Sequence, residues 1–172
     1  MMKTMKAFVL LVSLVAQSGF AIAADKASSA VRLGAPFTDG FHTIADALTA
    51  KFGSANVTCV PAMDYDPFNW QNEINVNIPA AVAAARSADV IVACVGETTY
   101  CETVGNINDL NISANQAGLV KALAATGKPV VMVMVNGQPL TINWANKYVP
   151  SILETWFPSY RGGAIVAKML FG

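Results

Sequence analysis

Two nearly unbroken apolar runs, Ala88 to Val95 and Pro129 to Val135, constrain this chain more than anything else in it. A strand with one wet face alternates apolar and polar residues, whereas Val130 to Val135 reads Val-Val-Met-Val-Met-Val and is apolar at every step. Strands of that kind are covered on both faces, and the arrangement that covers both is a parallel sheet with helices above and below.

The surrounding segments supply those helices. Thr43 is placed to cap a helix in which Ile44, Ala47, Leu48 and Phe52 line one face and Gly53 marks the stop. Ile78 to Ser87 is alanine-rich, with Pro79 tolerated in its first turn. Ser113-Ala114-Asn115-Gln116 fits a capping box, followed by an amphipathic run through Ala124 that Gly127 ends. Further strands are expected at Asn56 to Pro61 and Ser151 to Phe157, and a last helix over Ala164 to Phe171. Val31 to Leu33 reads as a short extended piece, and Gly137 to Tyr148 as a connection. The alternation predicts an α/β fold, a doubly wound and mostly parallel sheet with helices on both faces.

With 172 residues, 54% of them hydrophobic and 13% charged, the chain has material for one core. Its 11 basic and 11 acidic side chains balance, which gives no footprint for nucleic acid or for an anionic membrane surface. A neutral small molecule suits it better.

Residues 1–23 need separate treatment. Lys3 and Lys6 precede the apolar Ala7 to Ala16, and Ala21-Ile22-Ala23 offers small residues at an A-x-A site, the pattern of a secretory signal peptide. The apolar core is shorter than the roughly 20 residues of a spanning helix, so no stable membrane span is expected. The domain is then 24–172, and the chain is expected to be secreted or periplasmic. The competing reading makes these same residues a buried strand of the domain.

Cys59, Cys94 and Cys101 have no metal-ligand spacing. Cys59 and Cys94 sit in strand-like runs and read as buried thiols, whereas Cys101 is the accessible one if a pair forms in an oxidising compartment. His42, the single histidine, lies just before a helix cap and reads as a surface or capping residue.

Chemistry concentrates in Gly96 to Leu110, a polar stretch that leaves a buried strand and precedes a capped helix. Open α/β sheets place ligand sites at such strand ends. Glu97 and Glu102 lie on it with Tyr100 between them. A second polar and aromatic segment, Ala62 to Asn77, shows no clear period; its Trp70 suits either a sugar face or a cover over the core. No Gly-rich phosphate loop follows a strand, no Gly-x-Ser-x-Gly elbow is present, and no cofactor or metal is called for. Carboxylate chemistry remains.

Val95-Gly96-Glu97-Thr98-Thr99-Tyr100-Cys101-Glu102-Thr103-Val104-Gly105-Asn106, then Thr126-Gly127-Lys128-Pro129, Asn136-Gly137-Gln138-Pro139-Leu140, Val149-Pro150-Ser151 with Trp156-Phe157-Pro158, and Gly162-Gly163 occur in this order. Together they resemble the C-terminal α/β sandwich domain of glycoside hydrolase family three, a family of β-glucosidases and exo-β-glucanases. The resemblance covers about residues 30–172 and is strongest from Asp89 onward. It implies a retaining β-glycosidase in carbohydrate metabolism that acts on β-glucosides or β-glucan oligosaccharides. A separate N-terminal (β/α)8 barrel would supply the aspartate nucleophile, and Glu102 would be the acid/base. Tyr100, Glu97 and Trp70 would be substrate contacts, although Glu97, leaving the strand end, also reads as a backbone-bonding carboxylate. A non-catalytic carbohydrate-binding module or inactive fragment is the alternative.

Departures from the family pattern accompany the match. Gln138 stands where the family carries an arginine, Asn106 where it carries an aspartate, and Ser159 where it carries a glycine. Without that arginine and aspartate, the ionic ties that hold the loop are expected to be lost. The family's first strand precedes the segment matching Ala30 to Gly34. Here Phe20 to Ala23 or Ala7 to Val15 stand in that place. Export that removes residues 1–23 would then cost the sheet an interior strand.

Overall fold

The computed structural model describes residues 9–13, 43–66, 69–97, 105–158 and 161–172. In chain order its elements are β1 (Val9–Ser13), α1 (Ile44–Phe52), β2 (Val57–Pro61), β3 (Asp64–Asp66), β4 (Asn69–Ile74), α2 (Ile78–Ala85), β5 (Val90–Gly96), α3 (Ala114–Ala124), β6 (Val130–Val135), β7 (Ser151–Glu154) and α4 (Gly162–Phe171). Val31 to Leu33, His42 and Cys101 lie outside the described residues.

The expected α/β architecture is present: five parallel strands in the order β2-β1-β5-β6-β7. The two apolar runs are its neighbouring centre strands, with Ile91 opposite Val130 and Gly96 opposite Val135. Their side chains divide between two cores. Ile91, Ala93 and Val95 join Val130, Met132 and Met134 under Ala81 and Ala85 of α2 and Leu119, Val120 and Leu123 of α3. Val92, Cys94 and Val133 pack on the opposite face with Ile44 and Leu48 of α1 and Val166 and Ala167 of α4. Each large side chain so buried contributes roughly 1.5–3 kcal/mol relative to exposure, which is why neither run has a polar interruption past Asp89. Phe52 and Phe171 close the second face edge to face, ring centres 4.9 Å apart.

Helix ends follow local chemistry. Thr43 accepts from the Asp46 amide, and the Asp46 carboxylate accepts from the Thr43 N–H, a complete capping box. Gly53 ends α1 at φ +83°, a conformation that suits glycine. Asn77 caps α2 by accepting from the Ala80 amide.

Several expectations change. Ala62 to Asn77 is no periodless connection: β3 and β4 form an antiparallel ribbon with a register shift between Tyr65 and Asp66. It carries polar groups to the end of β5, where the Tyr65 hydroxyl donates to the Gly96 carbonyl. β7 stops at Glu154 and does not reach Phe157, since the Glu154 carboxylate takes the Trp156 N–H and Trp156 turns to φ +55°. Helix α4 begins at Gly162 and not Ala164, where Gly162 admits Pro158: a Cβ would lie 2.6 Å from the proline ring. Cys59 is exposed on edge strand β2, whereas Cys94 is buried and its thiol is pushed up, chiefly by burial and secondarily by Cys59. The signal-like run contributes β1, an interior strand between β2 and β5.

Candidate functional site

From β1 the sheet extends to β2 on one side and through β5 to β7 on the other, so the strand order reverses between β1 and β5. Connections leave such a switch point in opposite directions and open a crevice at the strands' C-terminal ends. A cavity of about 420 Å³ lies there. Tyr65 and Glu73 come to it from the β3–β4 ribbon, Gly96 and Glu97 from the end of β5, and Asn106, Asn108, Asp109 and Asn111 from the connection toward α3. Ser113, Gln116 and Leu140 complete much of the lining.

One wall is a continuous polar network around Gly96. As described, β1 ends at Ser13, opposite Cys94, so the Gly96 amide and carbonyl lie past the last paired residue of β1. Gln116 takes that place, its Oε1 accepting from the Gly96 N–H at 2.7 Å and its Nε2 donating to the Gly96 carbonyl at 2.9 Å. The Tyr65 hydroxyl also donates to that carbonyl, at 2.9 Å. Glu73 Oε1 accepts from Ser113 Oγ at 2.6 Å and from Gln116 Nε2 at 2.8 Å. The expected capping box is therefore half made. Ser113 Oγ accepts from the Gln116 amide, but the Gln116 side chain turns inward and is only 2% exposed. Burial and the Glu73 carboxylate push the Tyr65 phenol well above its ordinary range, against a smaller opposite effect of the Gln116 hydrogen bond. Tyr65 thus stays a neutral donor across ordinary pH.

A second set of contacts is organised by Glu97. Its N–H donates to the Val135 carbonyl at 2.9 Å, continuing the β5–β6 ladder. Its Oε2 accepts from the Gly137 and Gln138 amides at 3.0 and 3.3 Å. Gln138 Nε2 reaches Glu97 Oε1 at 3.4 Å and the Gly105 carbonyl at 3.0 Å. Further along, the Thr141 N–H donates to the Leu110 carbonyl at 2.6 Å, and Asn111 bridges Thr141 in parallel. At position 138 a neutral amide, and no ionic pair, makes the connection by donating to a carboxylate and a carbonyl.

Of the residues expected at the site, Glu97 lines this cavity, 9% exposed, its carboxylate engaged with the connection after β6. Trp70 has its backbone on β4 and its side chain outside the described residues. Tyr100 and Glu102 lie outside them as well. The residues not foreseen are Tyr65, Glu73, Gln116 and Gln138. Gln116 left a signal, because it stands at i, i+4 and i+7 with Val120 and Leu123 on the stripe that faces the core. A polar residue on such a stripe needs a buried partner.

Among the described residues no group of three or more His, Cys, Asp or Glu side chains is arranged to hold a metal ion. No helix among them is long and apolar enough to cross a membrane.

Comparison with known proteins decides the family. The model of the glycosyl hydrolase family 3 C-terminal domain matches residues 11–172. This chain belongs to that family. A β-xylosidase of Formosa agariphila is 36% identical over 134 residues, which are 77% of this chain and 18% of the relative. A periplasmic β-glucosidase of Salmonella typhimurium is 43% identical over 96 residues, 55% of this chain and 12% of its own length. The chain therefore spans less than a fifth of these curated family 3 relatives. Solved structures agree on the fold. A β-glucosidase of Bifidobacterium adolescentis superimposes with a TM-score of 0.71 at 23% identity, covering 97% of this chain and 23% of that one. A β-glucosidase of Listeria innocua in complex with gluconolactone gives 0.70 at 24% identity, covering 96% and 21%.

Proposed function

We propose that this family 3 domain carries the acid/base of a retaining β-glycosidase of β-glucosidase type and works with a (β/α)8 barrel that supplies the nucleophile. Glu102 is the proton donor in this reading. It protonates the glycosidic oxygen as the bond breaks and then, ionised, takes a proton from the water that releases the sugar. The two carboxyls must come within about 5–5.5 Å of each other, so the donor has to be carried on a segment that reaches a neighbouring body. Tyr100 and Trp70 offer aromatic faces to the sugar, and Glu97 holds the base of the segment.

The observation that carries the reading is the position of Gly96 and Glu97, from which the segment carrying Glu102 departs. In a chain of this family, its one stretch with two glutamates around a tyrosine leaves the end of β5, beside the switch point of the sheet. Hydrolysis of an aryl β-glucoside is the test, measured for the full chain alone, mixed with a family barrel, and mixed after Glu102→Gln. Activity that rises on mixing and falls with Glu102→Gln supports it; no rise, or an equal rise in the variant, overturns it.

The cavity favours a second reading. Its volume of about 420 Å³ and its asparagine and carboxylate lining suit the hydroxyls of a neutral saccharide, as in a non-catalytic carbohydrate-binding module. Calorimetric titration with gluco-oligosaccharides separates the two, since binding that ignores Glu102→Gln and vanishes with Asn108→Ala in the cavity lining belongs to the second.

A further inference from the structure

We infer that Gln138 is a positioning residue for the acid/base segment, an amide clasp that holds together the two residues between which residues 98–104 are strung. This rests on the proposed role of Glu102. Glu97 and Gly105 flank that segment directly. Gln138 Nε2 donates to both of them, at 3.4 Å to Glu97 Oε1 and at 3.0 Å to the Gly105 carbonyl. An amide nitrogen has two hydrogens, so one side chain serves both partners without sharing a proton.

The clasp is itself held. Gln138 gives its backbone N–H to Glu97 Oε2, and its carbonyl accepts from Asn136 Nδ2 at 2.6 Å. Asn136 is fully buried, and Gly137 adds its N–H to the same Glu97 oxygen. Backbone and side chain of Gln138 therefore grip Glu97 from two directions, leaving the amide aimed at Gly105. On the entry side, Gly96 meets the Val135 carbonyl so closely that a Cβ there would lie 1.9 Å from its oxygen. On the exit side, the Thr141 to Leu110 bond continues the attachment beyond Gly105. The connection from Asn136 to Thr141 thus forms a base plate under both ends of the segment.

Magnitudes show why a clasp matters for this reaction. Residues 98–104 can extend to roughly 23–25 Å, so the chain by itself sets no useful limit on where a carboxyl on it sits. Acid/base transfer, by contrast, needs placement so close that a 1 Å error costs on the order of 100-fold in rate. Bringing the ends together beforehand removes loop-closure entropy that would otherwise oppose each productive approach. Gln138 does this with neutral hydrogen bonds at the place where the family pattern carries an arginine. Its effect on bond cleavage therefore grows with the leaving group's need for a proton.

The test compares the full chain as it stands with Gln138→Met, which keeps length and bulk but has no donor, and Gln138→Arg, which restores several donors. The first measurement is residue-resolved hydrogen exchange on the chain alone. Amides of residues 98–105 are expected to exchange about tenfold faster in Gln138→Met and to return to within about twofold of the parent in Gln138→Arg, with α3 and β6 unchanged. The second adds the family barrel and uses two β-glucosides. With phenol as the leaving group, which needs protonation, Gln138→Met should lower kcat/KM, which reports the steps through glycosidic bond cleavage, by about 10- to 100-fold. With 2,4-dinitrophenolate, which leaves unaided, the loss in kcat/KM should shrink to less than about threefold. Unaltered exchange in Gln138→Met, or an equal loss on both glucosides, would overturn the inference. A parent mixture that hydrolyses neither glucoside sinks the acid/base reading itself, and the exchange measurement then still decides whether Gln138 clasps the segment.

Discussion

The side-chain amide of Gln116 takes the place of a strand partner for Gly96, accepting from its N–H at 2.7 Å and donating to its carbonyl at 2.9 Å. A helix residue thereby satisfies both backbone groups of a strand residue at the point where β1, as described, has already ended. This joins three elements at the mouth of the crevice, because the same amide reaches Tyr65 of β3 at 3.1 Å and Glu73 of β4 at 2.8 Å.

Gln116→Leu follows directly. Leucine fills similar space but leaves the Gly96 N–H buried without its acceptor and removes a donor from Glu73. Unsatisfied buried groups cost about 1–3 kcal/mol each, so a loss of about 3 kcal/mol or more is expected. For a chain of this size that is roughly 6–12 °C in Tm. Urea and thermal unfolding followed by circular dichroism measure it, and a change under about 1 kcal/mol would mean that water replaces the amide without penalty.

Two glycine-to-alanine changes should have opposite signs. Gly96 has φ +144°, and a Cβ there would lie 1.9 Å from the Val135 oxygen and 2.6 Å from its carbonyl carbon. Gly96→Ala therefore forces β5 and β6 apart and is expected to cost about 4 kcal/mol or more. Gly118 lies inside α3, and a methyl placed on its Cα would find Ile78 Cδ1 nearest, at 3.8 Å, an ordinary contact. Gly118→Ala should then stabilise by about 0.5–1 kcal/mol through helix propensity. Denaturation midpoints of the two variants check both signs in one experiment.

What was legible in the sequence follows from where free energy depends on composition. Residues 90–96 and 130–135 are buried on both faces, so their polarity pattern is itself the signal for a covered parallel sheet. Thr43, Asp46 and Gly53 act through local backbone chemistry and were equally readable. The ribbon was not, because Asp64–Asp66 is too short to write an alternation and its register with Asn69–Ile74 shifts between Tyr65 and Asp66. At the site, Glu97 stood out as a carboxylate at a strand end, but its neighbours did not. Gln116 has the spacing of a cap partner and spends its amide 20 residues back along the chain. Gln138 read as a lost ionic tie, since a motif comparison registers the missing charge and not the hydrogen bonds that a shorter amide still makes.

Tyr65 should make stability depend on alkaline pH. Burial raises its pKa first, and the Glu73 and Glu97 charges add to that, so the folded phenol holds its proton above the unfolded value near about 10. Below that value both states are protonated and Tyr65 contributes no pH dependence. Above it the unfolded chain releases the proton while the folded chain retains it, so unfolding becomes easier as pH rises. Urea midpoints of the parent and Tyr65→Phe between pH 8 and about pH 11 should therefore converge at the alkaline end. The parent starts ahead because its hydroxyl donates to the Gly96 carbonyl. A gap that stays constant with pH would show that the phenol is not held neutral by its surroundings.

Residues 1–23 support two predictions that exclude each other. As strand β1, Val9–Ser13 has β2 on one side and β5 on the other, Leu11 standing opposite both Cys59 and Val92. Deleting it leaves two strand edges facing each other across an empty slot, with their ladder donors and acceptors exposed and the apolar cores on both faces split. A chain of residues 24–172 should therefore lose its cooperative transition and show a clearly smaller urea m-value than the full chain. Had residues 1–23 served only for export, the shortened chain would unfold at the same midpoint, since a removed leader contributes nothing to the folded sheet. Unfolding of the two chains, together with the mass of the amino-terminal peptide recovered from an exporting host, decides between them. The strand predicts that any product folded by itself retains Val9–Ser13, because β2 and β5 pair with it and not with one another.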